Sequence, residues 1–221
     1  MQIVVVGSQP EFEEVQRKFG SAHTYRRLPE DGVAAGITPD CVVFDFLLAG
    51  NARRLPVYRK VPCAVFVHAV NRALLDLTAG DRNYPLFGFN GWPTCVERPL
   101  LETSCLNPAA RPGLEATCRA LETDFKVVDD RTGMVTPRII AMIVNEAYHT
   151  VQDGTASRHD IDQAMQLGTN YPYGPFAWCS RIGIANIFNL LEALCADTHD
   201  QRYQPAPLLK KEFLIASQTA A

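Results

Sequence analysis

Apolar residues fall in short continuous blocks through the first part of the chain and recur at helical spacing through the rest. Ile3, Val4, Val5 and Val6 form the first block and Gly7 ends it, which predicts a strand over Gln2–Val6. Pro10–Phe19 then reads as an amphipathic helix, with Pro10 in a first turn where a missing N–H costs nothing. A short strand is expected near Ala22–Arg26. Three further apolar runs follow, at Cys41–Leu48, Cys63–Val70 and Pro85–Trp92, the first interrupted only by Asp45. Runs of this kind suit parallel strands covered on both faces. The segment Arg98–Ser104, a helix near Pro112–Leu121 and a short strand over Phe125–Asp130 complete an open α/β sheet.

From about Met134 the pattern is helical only. Ile139, Ile140, Ile143, Val144 and Ala147 mark one helix face. Thr155–Gly168 opens with capping residues and closes on a glycine, so it predicts a second helix with start and stop signals. A third runs from about Phe176 to Cys195 and carries Ile182, Ile184, Ile187, Phe188, Leu191 and Leu194. Asp160 and Asp162 lie early in the second helix, where carboxylates offset the positive end of its dipole. Gly168 suits a left-handed helix C-terminus, and the segment YPYGP makes a rigid bend after it. The end of the tail EFLIASQTAA is expected to fray. The change of pattern divides the chain into residues 1–132 and 133–221.

Composition narrows the function classes. Apolar residues make up 47% of the 221 positions, enough for a proper core, and the net charge of -3 carries no dense basic footprint for nucleic acid. There is no apolar run of membrane-spanning length, and with the N-terminus entering a strand directly no signal peptide is expected. The seven cysteines include no C-x-x-C pair, and the five histidines are scattered. Free thiols in a reducing, cytoplasmic setting are expected, with no metal site.

The opening strand, glycine and helix have the order of a dinucleotide-binding turn, which wants G-x-G-x-x-G. The three positions here are Gly7, Gln9 and Phe12. The first glycine permits the tight turn, the second lets the backbone approach a pyrophosphate, and the third lets helix and strand pack closely. Gly7 and Ser8 are the remnant of that turn. Gln9 puts a side chain in the pyrophosphate's place, and Phe12 a ring between helix and strand. Glu11, Glu13 and Glu14 add negative charge at the helix start, which satisfies the N-terminus internally and repels an anion. About twenty residues on, where an acidic side chain should receive a ribose hydroxyl, Arg26 and Arg27 come first and Glu30 and Asp31 later. The expectation is a domain that keeps the sheet and lacks the dinucleotide.

The stretch GTASRHDIDQAMQLGTNYPYGPFAWCSRIG, followed by RYQPAPLLKK, resembles the C-terminal domain of 3-hydroxyacyl-CoA dehydrogenases. That family carries a run of the type D-A-S-x-x-D-I-D-x-A-M-x-L-G-x-x-Y-P-M-G-P-F-x-x-x-D-x-x-G. Ala156, Ser157, Asp160, Ile161, Asp162, Ala164, Met165, Leu167, Gly168, Tyr171, Pro172, Gly174, Pro175, Phe176 and Gly183 match it in order. Asn145–Ala147 and Arg202–Lys211 extend the match. The resemblance implies a shortened Rossmann-like parallel-sheet domain followed by an all-helical domain that builds a homodimer. It also implies NAD as cofactor and an acyl-CoA ligand.

The chemistry implied by the resemblance is hydride transfer between NAD and a 3-hydroxyacyl-CoA. A histidine takes the hydroxyl proton, a glutamate orients it, and a serine and an asparagine hold the substrate oxygen. Aligning Gly88 with the glycine of the histidine segment puts Asn90 at the histidine position and Glu102 at the glutamate, twelve residues on. Pro137 takes the asparagine's place, with Arg138 kept beside it. The serine should lie near Phe66–Arg72, which holds His68 instead. An amide has no proton to exchange near neutral pH, so Asn90 is not a general base. The expectation is therefore a family member without hydride transfer, a pseudoenzyme that binds acyl-CoA or a protein partner. The alternative is an active NAD(P)-dependent oxidoreductase with a rearranged site that uses His68 and Glu102.

Overall fold

A computed structural model describes residues 1–29 and 37–219, and the chain divides into two compact units, Met1–Met134 and Val135–Ala221. The first unit follows the order β1 (Gln2–Val6), α1 (Gln9–Phe19), β2 (Thr24–Leu28), β3 (Cys41–Asp45), α2 (Leu55–Tyr58), β4 (Ala64–His68), α3 (Leu74–Leu77), β5 (Leu86–Phe89), β6 (Leu100–Cys105), α4 (Arg111–Ala120) and β7 (Asp124–Val128). Its seven strands lie in the order β2-β1-β3-β4-β5-β6-β7. Strands β1 to β5 are parallel, with Val4 level with Val43 and Val43 level with Val65. The sheet is parallel as expected except at one pairing: β6 pairs antiparallel with β5, and β7 runs parallel to β6.

The sheet is covered on both faces, which is why its central strands carry no polar alternation. One face gathers Val4, Val6, Val43, Val65, Val67 and Tyr58. The other gathers Ile3, Val5, Phe44, Phe66 and Phe89 with Val15 and Phe19 of α1. Phe44 is its hub, stacked on Phe66 at 5.0 Å and edge-on to Phe89 at 5.3 Å. Strand β3 stops at Asp45 because that buried carboxylate turns the chain. It accepts the N–H groups of Leu47 and Leu48 at 2.8 Å each, Arg54 Nη2 at 3.0 Å and the Tyr58 hydroxyl at 2.5 Å.

The second unit holds α5 (Thr136–Gln152), α6 (Arg158–Thr169), α7 (Pro175–Ile182), α8 (Ile184–Thr198) and α9 (Pro207–Thr219). The expected third helix is two helices, bent by 97° at a break. Gly183 makes the break, with φ +95°, a value that other residues adopt only under strain. Gly168 lies inside α6, and Asn170 with φ 56° takes the left-handed cap instead. Asn serves because its short polar side chain tolerates that region. Ala220 and Ala221, where fraying was expected, lie outside the described residues. Asp160 sits in the first turn of α6, where Ser157 Oγ accepts its N–H at 3.2 Å. Asp162 does something else. Its two oxygens accept the N–H groups of Phe176 at 2.8 Å and Ala177 at 3.0 Å, so it caps α7. Gly174 is the residue that allows this approach, since a Cβ there would stand 2.3 Å from Asp162 Cγ. Among the described residues no single helix is long and apolar enough to cross a membrane.

Candidate functional site

The remnant turn lies at the C-terminal end of β1. The Ser8 N–H donates to Glu11 Oε2 at 2.6 Å. A Cβ on Gly7 would stand 2.5 Å from the same oxygen and 3.3 Å from the Phe46 ring. The close approach to Gly7, the glycine of the tight turn, is therefore made by a side chain of this chain. Pro10 has no N–H to give, and the Arg27 guanidinium is turned to the Gly7 carbonyl at 3.2 Å.

The other residues of the turn behave in part differently from expectation. Gln9 is exposed and its Nε2 bonds Glu13 Oε1 at 2.8 Å, so the side chain lies along the helix and does not fill the turn. Phe12 packs edge-on to Tyr25 at 6.5 Å, against the aromatic face of the sheet. Glu14 is buried and faces away from the turn, accepting the Val96 N–H at 2.9 Å and the Glu97 N–H at 3.3 Å. Burial raises its carboxyl above the usual carboxylate range. The charge at the turn therefore comes from Glu11. Glu30 and Asp31, the later acidic positions, lie outside the described residues.

Asn90, the residue after β5, and Glu102 on β6 come together. The antiparallel register sets the Asn90 N–H on the Glu102 carbonyl at 3.1 Å. Asn90 Nδ2 reaches Glu102 Oε2 at 3.5 Å, and Asn90 Oδ1 accepts the Trp92 N–H at 3.2 Å. Both are buried, 4% and 7% exposed, so Glu102 is not a surface carboxylate. The pair places an amide donor beside a carboxylate acceptor. Neither the amide nor the nearby Cys95, whose thiol burial pushes up to about 11, offers a base or a thiolate near neutral pH.

His68 closes β4, level with Phe89. Its Nδ1 accepts the Gly91 N–H at 3.0 Å, and its ring lies between Phe46 and Phe89 at 6.4 and 6.2 Å. Burial lowers its pKa to about 4. The imidazole is thus neutral, with Nδ1 engaged and its proton on Nε2. That is the state of a structural acceptor holding the turn after β5. In the second unit Pro137 lies buried in the first turn of α5 and has no N–H or amide to offer a substrate. Arg138 Nη1 donates to the Tyr203 hydroxyl at 3.0 Å. Among the described residues no group of three or more His, Cys, Asp or Glu is placed to hold a metal ion.

The model of the 3-hydroxyacyl-CoA dehydrogenase C-terminal domain matches residues 133–217. That segment belongs to the 3-hydroxyacyl-CoA dehydrogenase family. The 3-hydroxyadipyl-CoA dehydrogenase of Escherichia coli is 47% identical over 90 residues, 41% of this chain and 19% of that protein. A 3-hydroxybutyryl-CoA dehydrogenase of Bacillus subtilis is 38% identical over 84 residues, 38% of this chain and 29% of that protein. These matches thus span less than a third of the relatives' length. The crystal structure of (S)-3-hydroxybutyryl-CoA dehydrogenase from Ralstonia eutropha shares the fold over nearly the whole chain. It covers 97% of this chain and 94% of its own, with a TM-score of 0.73 at 19% identity. The sheet unit therefore has the Rossmann-type fold of 3-hydroxyacyl-CoA dehydrogenases, while at the turn where that fold would hold the pyrophosphate of NAD the Ser8 N–H is taken by Glu11. No catalytic step through that cofactor follows from these residues.

Proposed function

We propose that the chain is a 3-hydroxyacyl-CoA dehydrogenase-like protein of acyl-CoA and fatty acid metabolism that does not transfer hydride. The Glu11 carboxylate on the Ser8 N–H carries this reading. It occupies one N–H at the start of the helix and sets a negative charge where an anion would otherwise be favoured. An amide at position 90 and a proline at 137 support it independently, since neither residue can do what the resemblance assigns to its position. What remains is a scaffold for holding an acyl-CoA or assembling with a partner. A homodimer through the helical unit is part of the proposal. Helix α6 has no buried residue, and Leu167 is 84% exposed, an apolar surface that a second copy would cover. Seven cysteines without a disulfide support a reducing, cytoplasmic location.

The test is reduction of acetoacetyl-CoA by the purified protein with NADH. No turnover above a heat-denatured control is expected. Robust NADH-dependent turnover overturns the proposal. Light scattering is expected to give twice the chain mass, and a monomer at micromolar concentration removes the dimer.

A further inference from the structure

Seven cysteines are scattered along the sequence, yet two of them meet. Cys41 opens β3 and Cys63 immediately precedes β4. The parallel register sets Val42 level with Ala64, so the two cysteines are adjacent across the strands and point to the same face. Their sulfurs stand 3.3 Å apart. Both are buried against the aliphatic face of the sheet, and both line a groove with Met1, Pro39, Pro62 and Pro85. The groove lies at the N-terminal ends of the strands, opposite the end that carries Gly7 and Asn90. Neighbouring strands lie about 4.8 Å apart, within the Cα separation that a disulfide spans.

We propose that Cys41 and Cys63 form a reversible thiol–disulfide site, a dithiol when reduced and an inter-strand disulfide when treated with a peroxide or a disulfide oxidant. With hydrogen peroxide, one thiolate attacks a peroxide oxygen, the O–O bond breaks and a sulfenic acid forms. The second sulfur displaces that hydroxyl, which leaves as water. Two S–H bonds are lost and one S–S bond is made, each sulfur gives up one electron, and the peroxide leaves as two water molecules. Burial and the neighbouring thiol raise the Cys63 thiol well above its ordinary range, so the reaction is slow at neutral pH and faster in alkali. The bond would tie β3 to β4 and close the segment between them, which restricts the unfolded chain.

The test oxidises the native protein with a small excess of hydrogen peroxide, blocks the remaining thiols and maps the peptides by mass. The expected result is a loss of two hydrogens and one linked pair, Cys41 with Cys63, together with a rise of several degrees in the melting midpoint that dithiothreitol reverses. In Cys41→Ala or Cys63→Ala the linked pair and the rise are lost. The wild-type peptide map decides the matter without a variant should either one fail to fold. Native oxidation that links other cysteines, stops at a sulfenic acid, or leaves Cys41 and Cys63 free overturns the proposal.

Discussion

Replacing Glu11 with alanine tests the turn from two sides. Glu11 Oε2 takes the Ser8 N–H at 2.6 Å at the surface of the molecule, where water can replace it. Loss of such a cap costs about 1 kcal/mol, and loss of a carboxylate in the first turn of a helix costs about 0.5 kcal/mol more. The sheet unit is therefore expected to lose roughly 1.5 kcal/mol, a fall in urea midpoint of about 0.7 M for a slope near 2 kcal/mol per M. The opposite effect is expected on anions. A phosphate about 4 Å from that carboxylate feels a repulsion of about 1 kcal/mol with water-like screening and about 4 kcal/mol at an effective dielectric of 20. Removing the charge should raise pyrophosphate affinity by at least about fivefold. Trp92, fully buried in the sheet unit, reports the urea transition in a Trp178→Phe background, and calorimetry reports the anion. Glu13→Ala is the control, since Glu13 meets Gln9 on the helix surface and its loss should change stability by less than about 0.5 kcal/mol. A Glu11→Ala protein with unchanged midpoint and unchanged pyrophosphate affinity would refute the assignment of this carboxylate.

His68 makes a pH prediction. Burial holds its folded pKa near 4, below the unfolded value of 6.5. Its contribution is complete above pH 6.5 and falls as pH drops toward 4, by about 1 kcal/mol per pH unit. Urea midpoints across that window should flatten in His68→Gln, and equal slopes in both proteins would contradict the neutral acceptor role. Asp162→Ala removes both N–H acceptors at the start of α7 and should cost about 2 kcal/mol, read from Trp178 in a Trp92→Phe background. An unchanged transition would mean that Asp162 caps nothing. Gly174→Ala forces a Cβ onto the Asp162 carboxylate and should destabilise the helical unit by at least as much. The double variant Gly174→Ala, Asp162→Ala should recover part of that loss, and strict additivity would argue against the clash.

The strands were legible wherever burial on both faces makes the sequence continuously apolar, as at Gln2–Val6, where expectation and structure coincide. Direction was not legible. Strand β6 (Leu100–Cys105) runs against β5, and nothing in LLETSC distinguishes that from a parallel neighbour, because the sides of a buried strand read alike. The helical unit showed its periodicity but hid its break. Residues 176 to 195 are apolar on both sides of Gly183, and one glycine inside a helical pattern is tolerated as often as it terminates. Asp162 illustrates a different limit. Its place in α6 suggested service to its own helix, whereas its partners lie on α7, fourteen and fifteen residues on.

At the candidate site the residue types were readable and their surroundings were not. The sequence shows that Gly7 stands without its two companion glycines. It does not show which of Glu11, Glu13 and Glu14 faces the turn, since all three lie within one helical turn and only packing separates them. Glu14 is drawn into the interior by the N–H groups of Val96 and Glu97, eighty-two and eighty-three residues away. The twelve-residue spacing of Asn90 and Glu102 brought the two to one place because β5 and β6 are antiparallel neighbours. His68 could be placed at a strand end, but its bond to the Gly91 N–H depends on the loop after β5. The Cys41–Cys63 contact needed the register of β3 on β4 and carried no sequence signal at all.

The most direct measurement is a fluorescence titration of the purified protein with NADH through the millimolar range. The account predicts no saturable binding, because the Ser8 N–H is already bonded to Glu11 and the turn carries a negative charge. Tight, saturable binding would contradict it, and would show that Glu11 leaves the turn to make way for the cofactor.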